Sequence, residues 1–75
     1  MTSSLILYST AECHLCEQAK ALCEQLSLSV ETIDIAFDDS LFALYGVRIP
    51  VLKRTDSGKE LGWPFMLSDL QEFVR

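Results

Sequence analysis

Positive charge is what this sequence has least of. Its 75 residues carry six Lys and Arg against eleven Asp and Glu, a net charge of −5. The cations, at Lys20, Arg48, Lys53, Arg54, Lys59 and Arg75, are scattered rather than gathered into a stripe. A surface that binds nucleic acid must neutralise phosphates with clustered cations, so no nucleic-acid partner is expected. Long hydrophobic runs are missing too. Leu5-Ile6-Leu7-Tyr8 is far shorter than a membrane span or the apolar core of a signal peptide, and no Lys or Arg precedes it. No membrane contact and a cytoplasmic location are therefore expected. There are no repeats, low-complexity segments or linkers. The length allows one domain, 1–75, with a small core, because a chain this short buries only about 60% of its unfolded surface. Hydrophobic residues at 49% and charged residues at 23% describe a folded globule, and a monomer is expected.

What is present is cysteine in a telling arrangement. Three cysteines, an odd number, speak against a structural disulfide framework and for catalytic or metal chemistry. Cys13-His14-Leu15-Cys16 sets two thiols three residues apart where an apolar run gives way to a helical pattern. On a helix, residues i and i+3 lie about 5–6 Å apart at Cβ, near the separation a disulfide spans. Thiol exchange needs a thiolate, and the unpaired N–H groups of a helix's first turn favour negative charge. Cys13 is the better placed of the two, which makes it the attacking thiol and Cys16 the resolving one. A protonated His14 turned toward Cys13 would favour the thiolate, and Glu12 would oppose it.

The chain in order gives a βαβ unit followed by a helix, a hairpin and a last helix. Leu5 to Tyr8 is a continuous apolar strand. Cys16, Ala19, Leu22, Cys23 and Leu26 make the stripe of an amphipathic helix starting at Cys13, although Ser9-x-x-Glu12 offers an earlier capping box. Cys23 on that stripe reads as a small buried hydrophobe. Leu28 to Ile35 reads as a second strand, irregular near Thr32 and parallel to the first. Asp38-Asp39-Ser40 caps a short helix with Leu41, Phe42, Leu44 and Tyr45 inward, and Gly46 is expected in the left-handed region. Val47 to Leu52 is a third strand interrupted by Pro50, Asp56-Ser57-Gly58-Lys59 a turn, and Glu60-Leu61-Gly62 a returning strand. Ser68 is expected to cap a last helix with Leu70, Phe73 and Val74 inward.

The order β-α-β-α-β-β-α, with Cys-x-x-Cys opening the first helix and Ile49-Pro50-Val51 entering the third strand, resembles the glutaredoxin-like form of the thioredoxin fold over the whole chain. The form Gly-Val-Arg-Ile-Pro-Val at 46–51 together with Cys-His-Leu-Cys looks like a small glutaredoxin-like subfamily. The resemblance implies an α/β three-layer fold with a mixed four-stranded sheet. It also implies a thiol–disulfide oxidoreductase of cell redox homeostasis, with Cys13 and Cys16 as the catalytic couple. By the same resemblance His14, Leu15, Arg48, Ile49, Pro50, Gly62 and Trp63 would bind substrate. Pro50 would be cis and face the dithiol, and the Ile49 backbone would pair with the substrate strand. Implied partners are protein disulfides or glutathione mixed disulfides and an unidentified reductant. No cofactor is expected to be bound, with glutathione a candidate reductant or co-substrate. The chain departs from glutaredoxins at His14-Leu15, at Arg48-Ile49-Pro50 and at Leu61-Gly62-Trp63-Pro64, where the second glycine and acidic residues that grip glutathione are missing. Weak glutathione use follows.

Two rival functions stand beside this one. Cys13, His14, Cys16 and Cys23 include four metal-ligand types, but no second Cys-x-x-Cys or distant His completes a closed zinc site, so no metal is expected. Alternatively the domain docks a partner and its dithiol is vestigial or regulatory. Turnover with a reductant separates that reading from an oxidoreductase.

Overall fold

The computed structural model describes residues 4–74. Four strands, β1 (Leu5–Ser9), β2 (Glu31–Asp34), β3 (Val51–Arg54) and β4 (Glu60–Gly62), form one sheet in the order β2-β1-β3-β4. Strand β1 runs parallel to β2, with Tyr8 opposite Ile33, and antiparallel to β3, with Tyr8 opposite Val51. Strand β4 returns antiparallel beside β3, with Gly62 opposite Val51.

Because side chains alternate across a strand, this register sorts the core into two layers. Leu5 and Leu7 of β1 and Leu52 of β3 face Ala19 and Cys23 of helix α1 (His14–Gln25) and Leu70 of helix α3 (Leu67–Phe73), with Phe65 completing the cluster. On the opposite face Tyr8 and Val51 pack with Ile35 and with Tyr45 of helix α2 (Asp39–Tyr45). The central strand is thus covered on both sides, as its unbroken apolar run requires.

Local chemistry sets the element ends, and in four places it moves them from where the pattern put them. Strand β2 is shorter than Leu28 to Ile35. Ser27 adopts φ +56, and Leu28 N–H and Ser27 N–H bond the carbonyls of Cys23 and Glu24 at 3.0 and 2.9 Å. That is a Schellman closure of α1, so Leu28 finishes a helix instead of opening a strand. At the other end, Asp34 Oδ1 accepts from Ala36 N at 2.8 Å and starts a 3₁₀ turn over Ile35–Phe37, which takes Ile35 out of the ladder. Asp38 caps α2 by accepting from Leu41 N at 3.1 Å, as expected. The face of α2 is narrower than its sequence suggests, because Phe42 is 58% and Leu44 61% exposed while Tyr45 is buried.

Gly46 follows α2 with φ −53, not left-handed. Glycine is needed there for space, since a Cβ would stand 2.6 Å from the Phe42 carbonyl oxygen. Strand β3 begins after Pro50 instead of running through it, and Val47 is fully exposed. Proline lacks the N–H a ladder would need, which places it ahead of the strand. Helix α3 begins at Leu67, because Asp69 Oδ2 accepts from Met66 N at 2.8 Å, and Ser68 falls inside the first turn.

At the sheet end away from Cys13, Thr55 N bonds the Ser4 carbonyl and Arg54 Nη1 bonds the Phe73 carbonyl, both at 2.9 Å. Among the described residues no helix is long and apolar enough to cross a membrane.

Candidate active site

The dithiol stands where β1 ends and α1 begins. After Ser9 the chain turns through Thr10 and Ala11 to Glu12, which takes a left-handed φ of +58, and this reversal delivers Cys13 to the N-cap of α1. Cys13 is extended there, at φ −105 and ψ 104, and its carbonyl accepts the first helical bond from Glu17 N at 3.1 Å. Its Sγ accepts a hydrogen bond from Cys16 N at 3.1 Å. The sulfur therefore sits where a capping oxygen ordinarily sits, facing an amide of the first turn. A negative charge on that sulfur meets a donor already aimed at it.

Cys13 and Cys16 are joined as a disulfide, with Cα atoms 5.2 Å apart. The two sulfurs differ in access. Cys13 is partly exposed and Cys16 is 5% exposed, on the inward stripe with Ala19 and Cys23. Cys23 is fully buried and unpaired, as its place on the stripe predicts. Burial, and secondarily the charge of Glu24, pushes its thiol pKa up.

The sheet register gathers the remaining sequence-predicted residues at the same end. Tyr8 opposes Val51 and Val51 opposes Gly62, so the β1–α1 turn, Pro50 and Gly62 all follow one row of the sheet. Trp63 N–H extends that row to the Pro50 carbonyl at 3.2 Å. Pro50 is buried, and the Ile49-Pro50 bond is cis, as the resemblance implied. Trp63-Pro64 is also cis, which the sequence did not announce.

Individual side chains take places the sequence left open. His14 is almost wholly exposed, and its Nδ1 lies 3.8 Å from Glu17 Oε2, so its charged neighbour is that carboxylate. Leu15 is 45% exposed. Trp63 sets its ring edge against Phe65, centroids 5.0 Å apart, and packs on the α1/α3 cluster. With Leu22, Ala21 and Met66 it lines an apolar groove of about 400 Å³ along α1.

Arg48 is engaged elsewhere than over the dithiol. Its Nη2 lies 3.3 Å from Glu60 Oε1, and its Cζ stands 5.5 Å from the centroid of the Tyr45 ring. Tyr45 in turn stacks on Tyr8, centroids 4.4 Å apart, and donates its hydroxyl to Glu60 Oε2. That bond, helped by burial, raises the Tyr45 pKa to about 12. It is also the main reason the Glu60 carboxyl lies below its ordinary value, with Arg48 adding to it.

Sequence reasoning missed Tyr45 and Glu60 as neighbours of Arg48, and it missed a pocket. Ser9, Glu12, Lys20 and Thr32 join Cys13 and Cys16 around a cavity of about 200 Å³ beside the dithiol. Lys20 lies one helical turn beyond Cys16, and that spacing was the one available signal. Among the described residues no group of three or more His, Cys, Asp and Glu side chains is placed to hold a metal ion.

The matching family model is the glutaredoxin-like domain (DUF836), and it covers residues 4–75. The chain belongs to that family. It is similar to the X-ray structure of the structural-genomics target XcR50 from X. campestris, with 37% identity, 93% of each chain covered and a TM-score of 0.87. It is also similar to the protein Ne2328 from Nitrosomonas europaea, with 32% identity over 99% of this chain and 92% of that one and a TM-score of 0.80. A glutaredoxin from Archaeoglobus fulgidus shares the fold, with a TM-score of 0.70 over 99% of this chain and 88% of that one at 16% identity. No curated protein sequence matches. This member of the glutaredoxin-like family thus pairs a thioredoxin-type architecture with a Cys-x-x-Cys couple at the head of its first helix.

Proposed function

We propose that this glutaredoxin-like domain is a thiol–disulfide oxidoreductase that cycles between a Cys13/Cys16 dithiol and disulfide. The observation that carries the reading is the asymmetry of the two sulfurs. One is accessible and faces a helix N-terminal amide, and the other is buried directly behind it.

In the reducing direction the Cys13 thiolate attacks one sulfur of a substrate disulfide, forming a mixed disulfide and expelling the other half as a thiolate, which takes a proton from water. Cys16 then gives up its proton and attacks the Cys13 sulfur. The bond to the substrate breaks, its second thiolate leaves and is protonated, and the Cys13–Cys16 bond closes. Two electrons have passed from the domain to the substrate, and an external thiol reductant returns them by the reverse exchange.

Protein disulfides are the proposed substrates. An extended substrate strand would lie along Arg48-Ile49-Pro50, with Gly62 and Trp63 opposite and His14-Leu15 beside the sulfurs. Glutathione is a poor co-substrate on this reading, because Leu61-Gly62-Trp63 offers neither a second glycine nor an acidic grip.

A redox titration against glutathione, followed by turnover assays on a protein disulfide, tests the proposal. The couple should titrate between about −270 and −180 mV, the range of thioredoxin and protein disulfide isomerase. Turnover should vanish in Cys13→Ser. A couple that titrates but never turns over with any thiol reductant would make the domain a docking module.

A further inference from the structure

Arg48 is two residues from Pro50, at the rim where a substrate is proposed to lie, yet its charge is already answered. Its guanidinium is half exposed and meets Glu60 Oε1 at 3.3 Å over the Tyr45 ring. Glu60 is held from two directions, because Oε2 accepts the hydroxyl of Tyr45, itself 5% exposed and stacked on Tyr8. Glu60 stands on β4 opposite Lys53 and two residues before Gly62, so its position follows the sheet and not a mobile loop. On the other side of the dithiol, Glu12 and Glu17 share their pocket with one cation, Lys20. Glu12 and Glu17 thus stand at the dithiol with Lys20, while Glu60 lies further back along β4, opposite Lys53, and bears on the segment before Pro50 through its hold on Arg48.

We propose that Glu60 is a specificity-determining positioning residue: by occupying Arg48 it withholds the rim cation from anionic disulfides, so that the dithiol favours neutral and cationic ones. This rests on the oxidoreductase reading for its biological meaning but not for its measurement. A substrate carboxylate, such as either of those in glutathione, would have to displace a partner that Tyr45 fixes in place. A neutral or lysine-flanked cysteine segment faces no such competition and is drawn by Glu12 and Glu17.

The test uses Glu60→Gln, which keeps an oxygen for the Tyr45 hydroxyl and removes the charge. Reduced protein is reacted in single turnover with three small disulfides of graded charge: cystamine, bis(2-hydroxyethyl) disulfide and 3,3′-dithiodipropionate. Wild type should react in that order. In Glu60→Gln the dianion should gain about threefold on the neutral disulfide, the scale of an exposed ion pair. Glu24→Gln, the same charge change on the exposed face of α1 near its C-terminal end, should leave the ratio unmoved. In an Arg48→Met background, Glu60→Gln should no longer raise the ratio, because the effect runs through Arg48.

The ratio of iodoacetate to iodoacetamide reactivity at Cys13 reads the same charge selection without any disulfide exchange. An unchanged ratio in Glu60→Gln, or the same change with and without Arg48, overturns the proposal. Shifted alkylation ratios with no disulfide reduction at all would uphold the charge role and overturn the oxidoreductase reading instead.

Discussion

A brief alkylation of the reduced protein should rank its three cysteines, Cys13 ahead of Cys16 and Cys23 far behind both in access, and the structure supplies the scale. Cys13 is partly exposed and its sulfur faces the Cys16 amide at 3.1 Å. A charge at a helix N-terminus gains about 0.3–1 kcal/mol, so the thiolate fraction at Cys13 rises by about two- to fivefold from that source alone. Cys16 lacks the advantage and is 5% exposed, so Cys13 should lead it by more than about fivefold once access is added.

Cys23 is 0% exposed, and burial raises its pKa. It reacts only through opening. Its carbonyl holds Leu26 N at 3.2 Å and Leu28 N at 3.0 Å, so fraying the last turn of α1 breaks the closure of the helix as well as uncovering the core. Stability of about 0.05–0.15 kcal/mol per residue gives a domain of this length about 4–11 kcal/mol. Because uncovering Cys23 breaks both the closure of α1 and the central core, it is expected to cost global unfolding, an open form of about one part in 10³ or less. Cys23 should therefore label at least about a thousandfold more slowly than Cys13. Iodoacetamide pulses, acid quenching and peptide mass mapping measure all three rates. Equal rates for Cys13 and Cys16, or a Cys23 rate within tenfold of Cys13, would refute the assignment of roles.

Two further expectations follow from caps and charges. Asp38→Ala removes the bond to Leu41 N and should cost about 1 kcal/mol, lowering Tm by about 4–8 °C in a thermal melt while leaving Cys13 alkylation unchanged. The Tyr45–Glu60 bond should show in stability at both ends of the pH scale. The Tyr45 pKa is raised from 10.0 to about 12, so its contribution is whole below pH 10 and is lost as pH rises toward 12. The Glu60 pKa is lowered, so its contribution is present above the ordinary carboxylate range and is lost as pH falls through the depressed value. Denaturant melts across pH should show both losses in wild type, and both should be smaller in Tyr45→Phe.

Much of this architecture was legible because it is written in local patterns. The run at Leu5–Tyr8, the stripe from Cys16 to Leu26 and the Asp38 cap each declare themselves within a few residues. The paired cysteines do so as well, since their chemistry depends on spacing along one turn. The errors arose where two local signals competed for one residue. Leu28 alternates like a strand residue but is spent on closing α1, and Ile35 continues an apolar rhythm that the Asp34 side chain interrupts. Phe42 and Leu44 fit a helical face, yet a helix of seven residues presents mainly Tyr45 to the sheet.

The neighbours of the site were less legible than its centre. Glu60 lies 12 residues from Arg48 and 15 from Tyr45, and only the return of β4 beside β3 brings them together. Thr32 reaches the dithiol pocket only through the β1–β2 pairing. No window along the chain contains that information.

The bonds from Thr55 to Ser4 and from Arg54 to Phe73 lie at the pole of the molecule opposite Cys13. A handle attached beside Ser4 or beyond Phe73 would therefore leave from the blunt end, with the whole length of the sheet between it and the reactive sulfur. Such a domain can be anchored to a bead, an electrode or a fluorescent reporter at that pole and still present Cys13 outward. On the oxidoreductase function proposed above, the same polarity suits it to trapping: a Cys16→Ser form held by its back would keep any protein bound through Cys13 pointing into solution for recovery by a reductant.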